Sequence, residues 1–198
     1  MTEKVFDRVV ARMEPVAEQE CRARTDNINC NFLVRIDRDR SKQPNAYQSL
    51  NSNGRPILTF NVTLIEDLEN EDQLAFIFGH EAAHHIRQHI AQQRTSTQAG
   101  ALIGSNFGRF ADAVIGSPGV LTDIGTQAGA FVGARGYSKA HELEADQLGA
   151  ILTDKGGYDP EVGVTYFERI RDPGNVFLGT HPPNADRIRV VRETAAQL

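Results

Sequence analysis

The segment His80-Glu81-Ala82-Ala83-His84-His85-Ile86-Arg87-Gln88-His89 holds four of the chain's six histidines. It lies within Glu71 to Ile90, a run of helix formers without Gly or Pro after Gly79 and apolar over most of its circumference, which predicts a largely buried helix. On such a helix His84 stands about 400°, effectively about 40°, from His80, one turn along the same face, so both imidazoles can reach one ion. His85 and His89 point elsewhere. Neutral imidazole suits zinc, and Glu81 beside the pair is a carboxylate able to act as general base without ligating the metal. Shuffling 6 histidines and 13 glutamates through 198 residues would produce H-E-x-x-H with a probability of about 1%, so a second element is needed to establish a site.

That element lies downstream in Glu142-Leu143-Glu144-Ala145-Asp146. Glu142 and Asp146 fall one turn apart on one face of a predicted helix, Ser138 to Thr153. A catalytic zinc site needs a third protein ligand and an open fourth position. Glu142 is the candidate third ligand. Asp146 is placed to accept the remaining N–H of a ligating histidine and so fix its tautomer and orientation.

The rest of the chain supplies context. Val5 to Val16 carries an amphipathic helical stripe that Pro15 is expected to kink or end. Phe32 to Ile36 reads as a strand, and Asn45 to Leu50 with Pro56 to Phe60 as a β-hairpin through Asn51-Ser52-Asn53-Gly54. Between Gly100 and Gly136 fall nine of the seventeen glycines, in ladders Gly100, Gly104, Gly108 and Gly125, Gly129, Gly133. Spacing of four puts each ladder on one helix face where another backbone can come close, with Ser117-Pro118-Gly119 as the turn. The readings of 100–136 are a tightly packed helical hairpin, or else a mobile lid or a flap that touches a membrane or a protein partner. Pro160 to Arg169 and Asn184 to Gln197 read as closing helices.

With 21 Lys+Arg against 26 Asp+Glu the formal charge is −5, which disfavours nucleic acid as the ligand. The longest uncharged stretch, Thr95 to Gly108, is too short and too polar to cross a bilayer. At 198 residues one domain, 1–198, is expected. Cys21 and Cys30 are the only cysteines and fit one disulfide of an exported, periplasmic protein whose signal has been removed; two reduced thiols in a cytoplasmic protein are the alternative.

Together, His80-Glu81-Ala82-Ala83-His84 and Glu142-Leu143-Glu144-Ala145-Asp146 resemble the HtpX-like and CAAX-prenyl-protease-like gluzincin zinc metallopeptidases, whose pattern is H-E-x-x-H followed by E-x-x-A-D on a second helix. Asn45-Ala46-Tyr47 is similar to the family's Asn-Ala-aromatic segment before the active helix, and Thr180-His181-Pro182-Pro183 with Arg187 to its closing H-P-x-x-x-x-R. The resemblance runs from about Asn45 to the C-terminus. One departure is Ser138-Lys139, where family members commonly carry Ser-Arg, so a planar bidentate fork is given up.

The resemblance implies a zincin-like α+β fold, mainly helical, with a small sheet or hairpin beside the active-site helix. It implies one zinc per chain on His80, His84 and Glu142, with Glu81 as general base in an endopeptidase acting on unfolded or exposed polypeptide. His181 is the first candidate for a donor to the developing oxyanion, followed by Tyr137, with Arg187 orienting His181 or binding substrate. Asn45, Ala46 and Tyr47 would lie on an edge strand that pairs with extended substrate. The alternative is a latent zinc-bearing binding or assembly protein whose fourth metal position is blocked by His181. Oligomeric state is not encoded in these motifs.

Overall fold

The computed structural model describes residues 1–117, 119–170 and 183–198, with backbone alone over 131–138. The elements are α1 (Glu3–Arg24), β1 (Leu33–Asp37), β2 (Ala46–Leu50), β3 (Pro56–Asn61), α2 (Val62–Asp67), α3 (Glu71–Ile86), α4 (His89–Ile115), α5 (Val120–Lys155), α6 (Pro160–Gly163), α7 (Tyr166–Arg169) and α8 (Asn184–Ala195). This is the mainly helical α+β, zincin-like class expected from the sequence. Among the described residues no helix is long and apolar enough to cross a membrane.

The described chain divides into two compact units, one of residues 1–87, 143–170 and 183–198, the other of residues 88–142. In the first unit a three-stranded sheet has the order β1-β3-β2, with β1 parallel and β2 antiparallel to the central β3. β3 is buried along its whole length, and Phe60 joins the sheet to its helices, meeting Phe6 of α1 edge-on at 5.3 Å and Phe78 of α3 in a stack at 6.2 Å. Asn70 caps α3, its side chain accepting from the Gln73 amide at 2.9 Å. The buried positions of α3 encircle it, through Leu74, Phe76, Phe78, Ala82 and Ala83, as expected of a helix inside a core.

α3 and the C-terminal part of α5 cross at two glycines. A methyl group on Gly79 would stand 2.7 Å from the Gly149 carbonyl oxygen, and one on Gly149 would stand 2.9 Å from the His80 nitrogen. Only the missing side chains allow that approach, and it occurs directly beside His80. Each is an isolated glycine in a helical pattern, a signal of close backbone approach that the sequence contained.

Pro15 does not end α1, which continues to Arg24. The lost backbone hydrogen bond is offset by packing beyond it, where Ala17 and Cys21 are fully buried, and by the Cys21–Cys30 disulfide that ties the end of the helix to the chain entering β1. Replacing both cysteines by serine is expected to destabilise the protein by roughly 2.5–3 kcal/mol, the loop-entropy value for so short a ring. Chemical denaturation with and without reductant measures it, and no difference between the two would mean the bridge contributes nothing.

In the second unit the glycine ladders face each other. A methyl group on Gly104 would meet the Gly125 carbonyl at 1.9 Å, one on Gly108 the Leu121 carbonyl at 2.2 Å, and one on Gly129 the Gly100 carbonyl at 2.0 Å. α4 ends at Gly116 in the left-handed conformation, and Asp112 receives the Leu121 and Thr122 amides at 3.0 and 2.9 Å, capping the start of α5. α5 then runs unbroken for 36 residues, so Ser138 to Thr153 is the continuation of one helix rather than a separate element. Pro118 lies outside the described residues.

Candidate metal centre

His80 and His84 leave α3 one turn apart, as the four-residue spacing requires. Their rings are nearly perpendicular, 83°, with centroids 4.7 Å apart, and their Nε2 atoms approach to 3.1 Å. Two nitrogens at about 2.0–2.1 Å from a tetrahedral zinc stand about 3.3 Å apart, so this geometry fits a shared ion. One Glu142 carboxylate oxygen joins them, the three ligand atoms all lying within 4.8 Å of one another. Glu142 is the last described residue of the second unit, and the helical turn that carries it runs on without a break into Leu143 and Asp146. Two imidazoles and a carboxylate form the donor set of a catalytic rather than a structural zinc site, so the residues present fit the metal.

Asp146 and Arg187 stand behind His80. The Nδ1–H of His80 donates to Asp146 Oδ1 at 2.9 Å, which leaves the Nε2 lone pair facing His84. Asp146 is fully buried, and Arg187 donates to both its oxygens, Nε to Oδ2 and Nη2 to Oδ1, each at 2.7 Å. Burial alone would raise the Asp146 carboxyl; the charge and hydrogen bonds of Arg187, with His80, hold it below the ordinary carboxylate value. Arg187 Nη2 is nearly equidistant from the two His80 nitrogens, 3.2 and 3.4 Å, a position over the ring rather than at a lone pair. Its guanidinium carbon lies 3.8 Å from the centroid of the Phe167 ring. Among the described residues Arg187 thus works on Asp146. Its expected action on His181 falls on a residue outside them, as do Thr180 and Pro182; the Tyr137 side chain is outside them too.

Glu81 is buried next to His80 on α3. Ala46 and Tyr47 open β2, an edge strand, and Asn45 directly precedes it; Asn45 and Tyr47 are exposed, and the Asn45 carbonyl accepts from the Asn61 amide at 2.9 Å. His85 turns away from the candidate ligands. Its Nε2–H donates to the Asn29 carbonyl at 2.7 Å and its ring meets Phe32 edge-on, and burial pushes its pKa down.

The helix expected to reach Ile90 stops at Ile86. Gln88 adopts the left-handed conformation, φ 56°, and His89 opens α4. No Gly or Pro marks that break, because what favours it is burial of His89 against His141, a residue 52 positions away. The two rings stack in parallel, 9° apart in tilt and 4.2 Å between centroids. The sequence carried no signal for this pair.

A family model described as peptidase family M48 matches residues 7–195. The beta-barrel assembly-enhancing protease of Escherichia coli (strain K12) is 32% identical over 144 residues, covering 66% of this chain and 28% of that protein. The mitochondrial metalloendopeptidase OMA1 of Arabidopsis thaliana is 26% identical over 134 residues, covering 66% of this chain and 26% of that protein. The same enzyme of Schizosaccharomyces pombe is 29% identical over 131 residues, covering 63% and 37%. The chain therefore spans between about a quarter and two fifths of the length of these relatives. With a family match over nearly its whole length and the His80, His84 and Glu142 ligand atoms drawn together, the chain belongs to peptidase family M48.

Proposed function

We propose that this chain is a zinc-dependent endopeptidase that binds one zinc per chain and uses Glu81 as general base. The observation that carries the reading is the convergence of His80 Nε2, His84 Nε2 and a Glu142 oxygen, with Glu81 buried directly after His80 on α3. Zinc bound there supplies Lewis acidity toward a peptide carbonyl and lowers the pKa of water toward about 7. Glu81 takes a proton from the attacking water and returns it to the leaving amine, so atoms and charge balance without a further acid. Asp146, held by Arg187, keeps His80 in the tautomer that leaves Nε2 free to ligate. His181 is the proposed oxyanion donor, with Tyr137 behind it, on the strength of the family resemblance.

The exposed start of β2 supports binding of extended polypeptide by main-chain pairing, which is indifferent to most side chains. The substrates proposed are unfolded segments. The name of the Escherichia coli relative, which states that it enhances β-barrel assembly, fits a substrate of strand-forming segments caught before they pair. The disulfide supports an exported, periplasmic location. The two units are proposed to act as a single peptidase domain, 1–198, since one family model runs through both.

The helical hairpin within that domain exposes Ile103, Phe107, Phe110 and Val114 along one face of α4, with Val120 and Ile124 on α5. So much exposed apolar side chain supports docking of segment 100–136 on a membrane or a protein.

Metal analysis of the purified chain tests the reading. Close to one equivalent of zinc is expected, falling strongly in His84→Ala and Glu142→Ala, together with casein cleavage that a chelator stops and zinc restores. Near-zero zinc in the wild type, or full occupancy in both variants, would sink the assignment.

A further inference from the structure

His89 and His141 are both buried, at 4% and 5% exposure, and neither belongs to the ligand set. Parallel stacked rings direct their in-plane lone pairs side by side rather than toward a common point, so the pair is not built to chelate. It is built to pack. His141 Nε2–H also donates to Gln92 Oε1 at 3.1 Å, and Gln92 lies one turn after His89 on α4. The first turn of α4 thus grips one turn of α5 through a ring stack and a hydrogen bond, and the residue that follows His141 is Glu142. The grip lies wholly within the second unit, residues 88–142.

We infer that His89, His141 and Gln92 form a positioning device for the metal ligand Glu142. The chain around them supports this. The break at Gln88 requires a left-handed residue that is neither Gly nor Asn, an uncommon backbone state that the burial of His89 offsets. Asp146 and Gly149 hold α5 on the C-terminal side of Glu142; the stack holds the peptide one residue before it. His89 and His141 are therefore positioning residues, not catalytic ones.

This inference rests on the reading of His80, His84 and Glu142 as zinc ligands. Zinc affinity of the full chain, measured by competition with a chromogenic chelator of known affinity, is the test. His89→Ala and His141→Ala are each expected to weaken binding by about 10- to 100-fold, the scale for residues that support a ligand. His89→Phe keeps a flat ring in the stack and should stay within about threefold of the wild type. Gln92→Ala, which leaves both rings in place, should cost a few-fold.

In cobalt-substituted protein the visible absorption bands of the alanine variants should shift, a change that lost stability alone would not cause. Folded alanine variants with wild-type zinc affinity would overturn the inference, and so would His89→Phe weakening zinc as much as His89→Ala. Should the alanine variants fail to fold, His89→Phe and Gln92→Ala decide it: wild-type affinity in Gln92→Ala, or a His89→Phe loss beyond tenfold, overturns it. A wild type that binds no zinc removes the ligand assignment itself, which distinguishes that failure from failure of the pair.

Discussion

Glu81→Gln is expected to keep one equivalent of zinc and lower kcat for peptide hydrolysis by roughly 10²- to 10⁴-fold, the usual contribution of a general base. The amide matches the carboxylate in shape, so the buried space beside His80 is filled as before. What is lost is an oxygen basic enough to take a proton. Because Glu81 follows His80 directly on α3, it shares the backbone that places the proposed ligands His80 and His84, and the substitution is expected to remove basicity without moving them. Initial rates on casein, compared at equal zinc content, measure the effect. Turnover at the wild-type rate with zinc retained would remove Glu81 from the role of base.

Arg187→Met is expected to destabilise the metal-free protein by about 3–5 kcal/mol, the scale for stripping one partner from a buried ion pair. Asp146 has no exposure, and Arg187 supplies both a full charge and two hydrogen bonds to it. Without them the carboxylate keeps its desolvation penalty, with His80 left in compensation among the described residues. Zinc affinity should fall as well, about 10- to 100-fold, because His80 loses the group that fixes its ring.

The pH dependence gives this prediction a sign. In the wild type the Asp146 pKa is depressed, so its contribution to stability is present above the ordinary carboxylate range and is lost as pH falls through the lowered value. In Arg187→Met burial dominates and raises that pKa above the unfolded value. The penalty of the substitution should then shrink on acidification, as Asp146 protonates. Denaturant unfolding of both proteins in chelator at pH 7 and pH 5 checks it. A penalty below about 1 kcal/mol at pH 7 would show that the pair is not the buried support described here.

The stretches legible in the sequence are those governed by the backbone's own period. His80 with His84 and Glu142 with Asp146 are each four apart, and four residues on a helix return to nearly the same face whatever surrounds it. The hairpin of β2 and β3 follows likewise from two extended runs about an Asn- and Gly-containing turn, and the two glycine ladders from their fourfold spacing. Where local propensity and long-range packing disagree, the sequence misleads. Pro15 reads as a kink or an end of the helix and is carried within α1, because the buried residues after it favour continuation. The run through Gln88 reads as one helix and is broken, because His89 is buried against His141 in the turn before Glu142.

By itself, then, the sequence determined the chemical inventory: two imidazoles on one helix face, a carboxylate beside them, a second acidic helix, and a pair of cysteines to bridge. Only the tertiary structure decided how the inventory is held in register. It chose Gly79 and Gly149 as the point where α3 and α5 touch, gave Arg187 to Asp146 across 41 residues, and stacked His89 on His141. The physical reason is range. Hydrogen bonding along a helix repeats every few residues and can be read from spacing, whereas close packing selects partners by shape and charge anywhere in the chain, and no local pattern encodes which partner it selects.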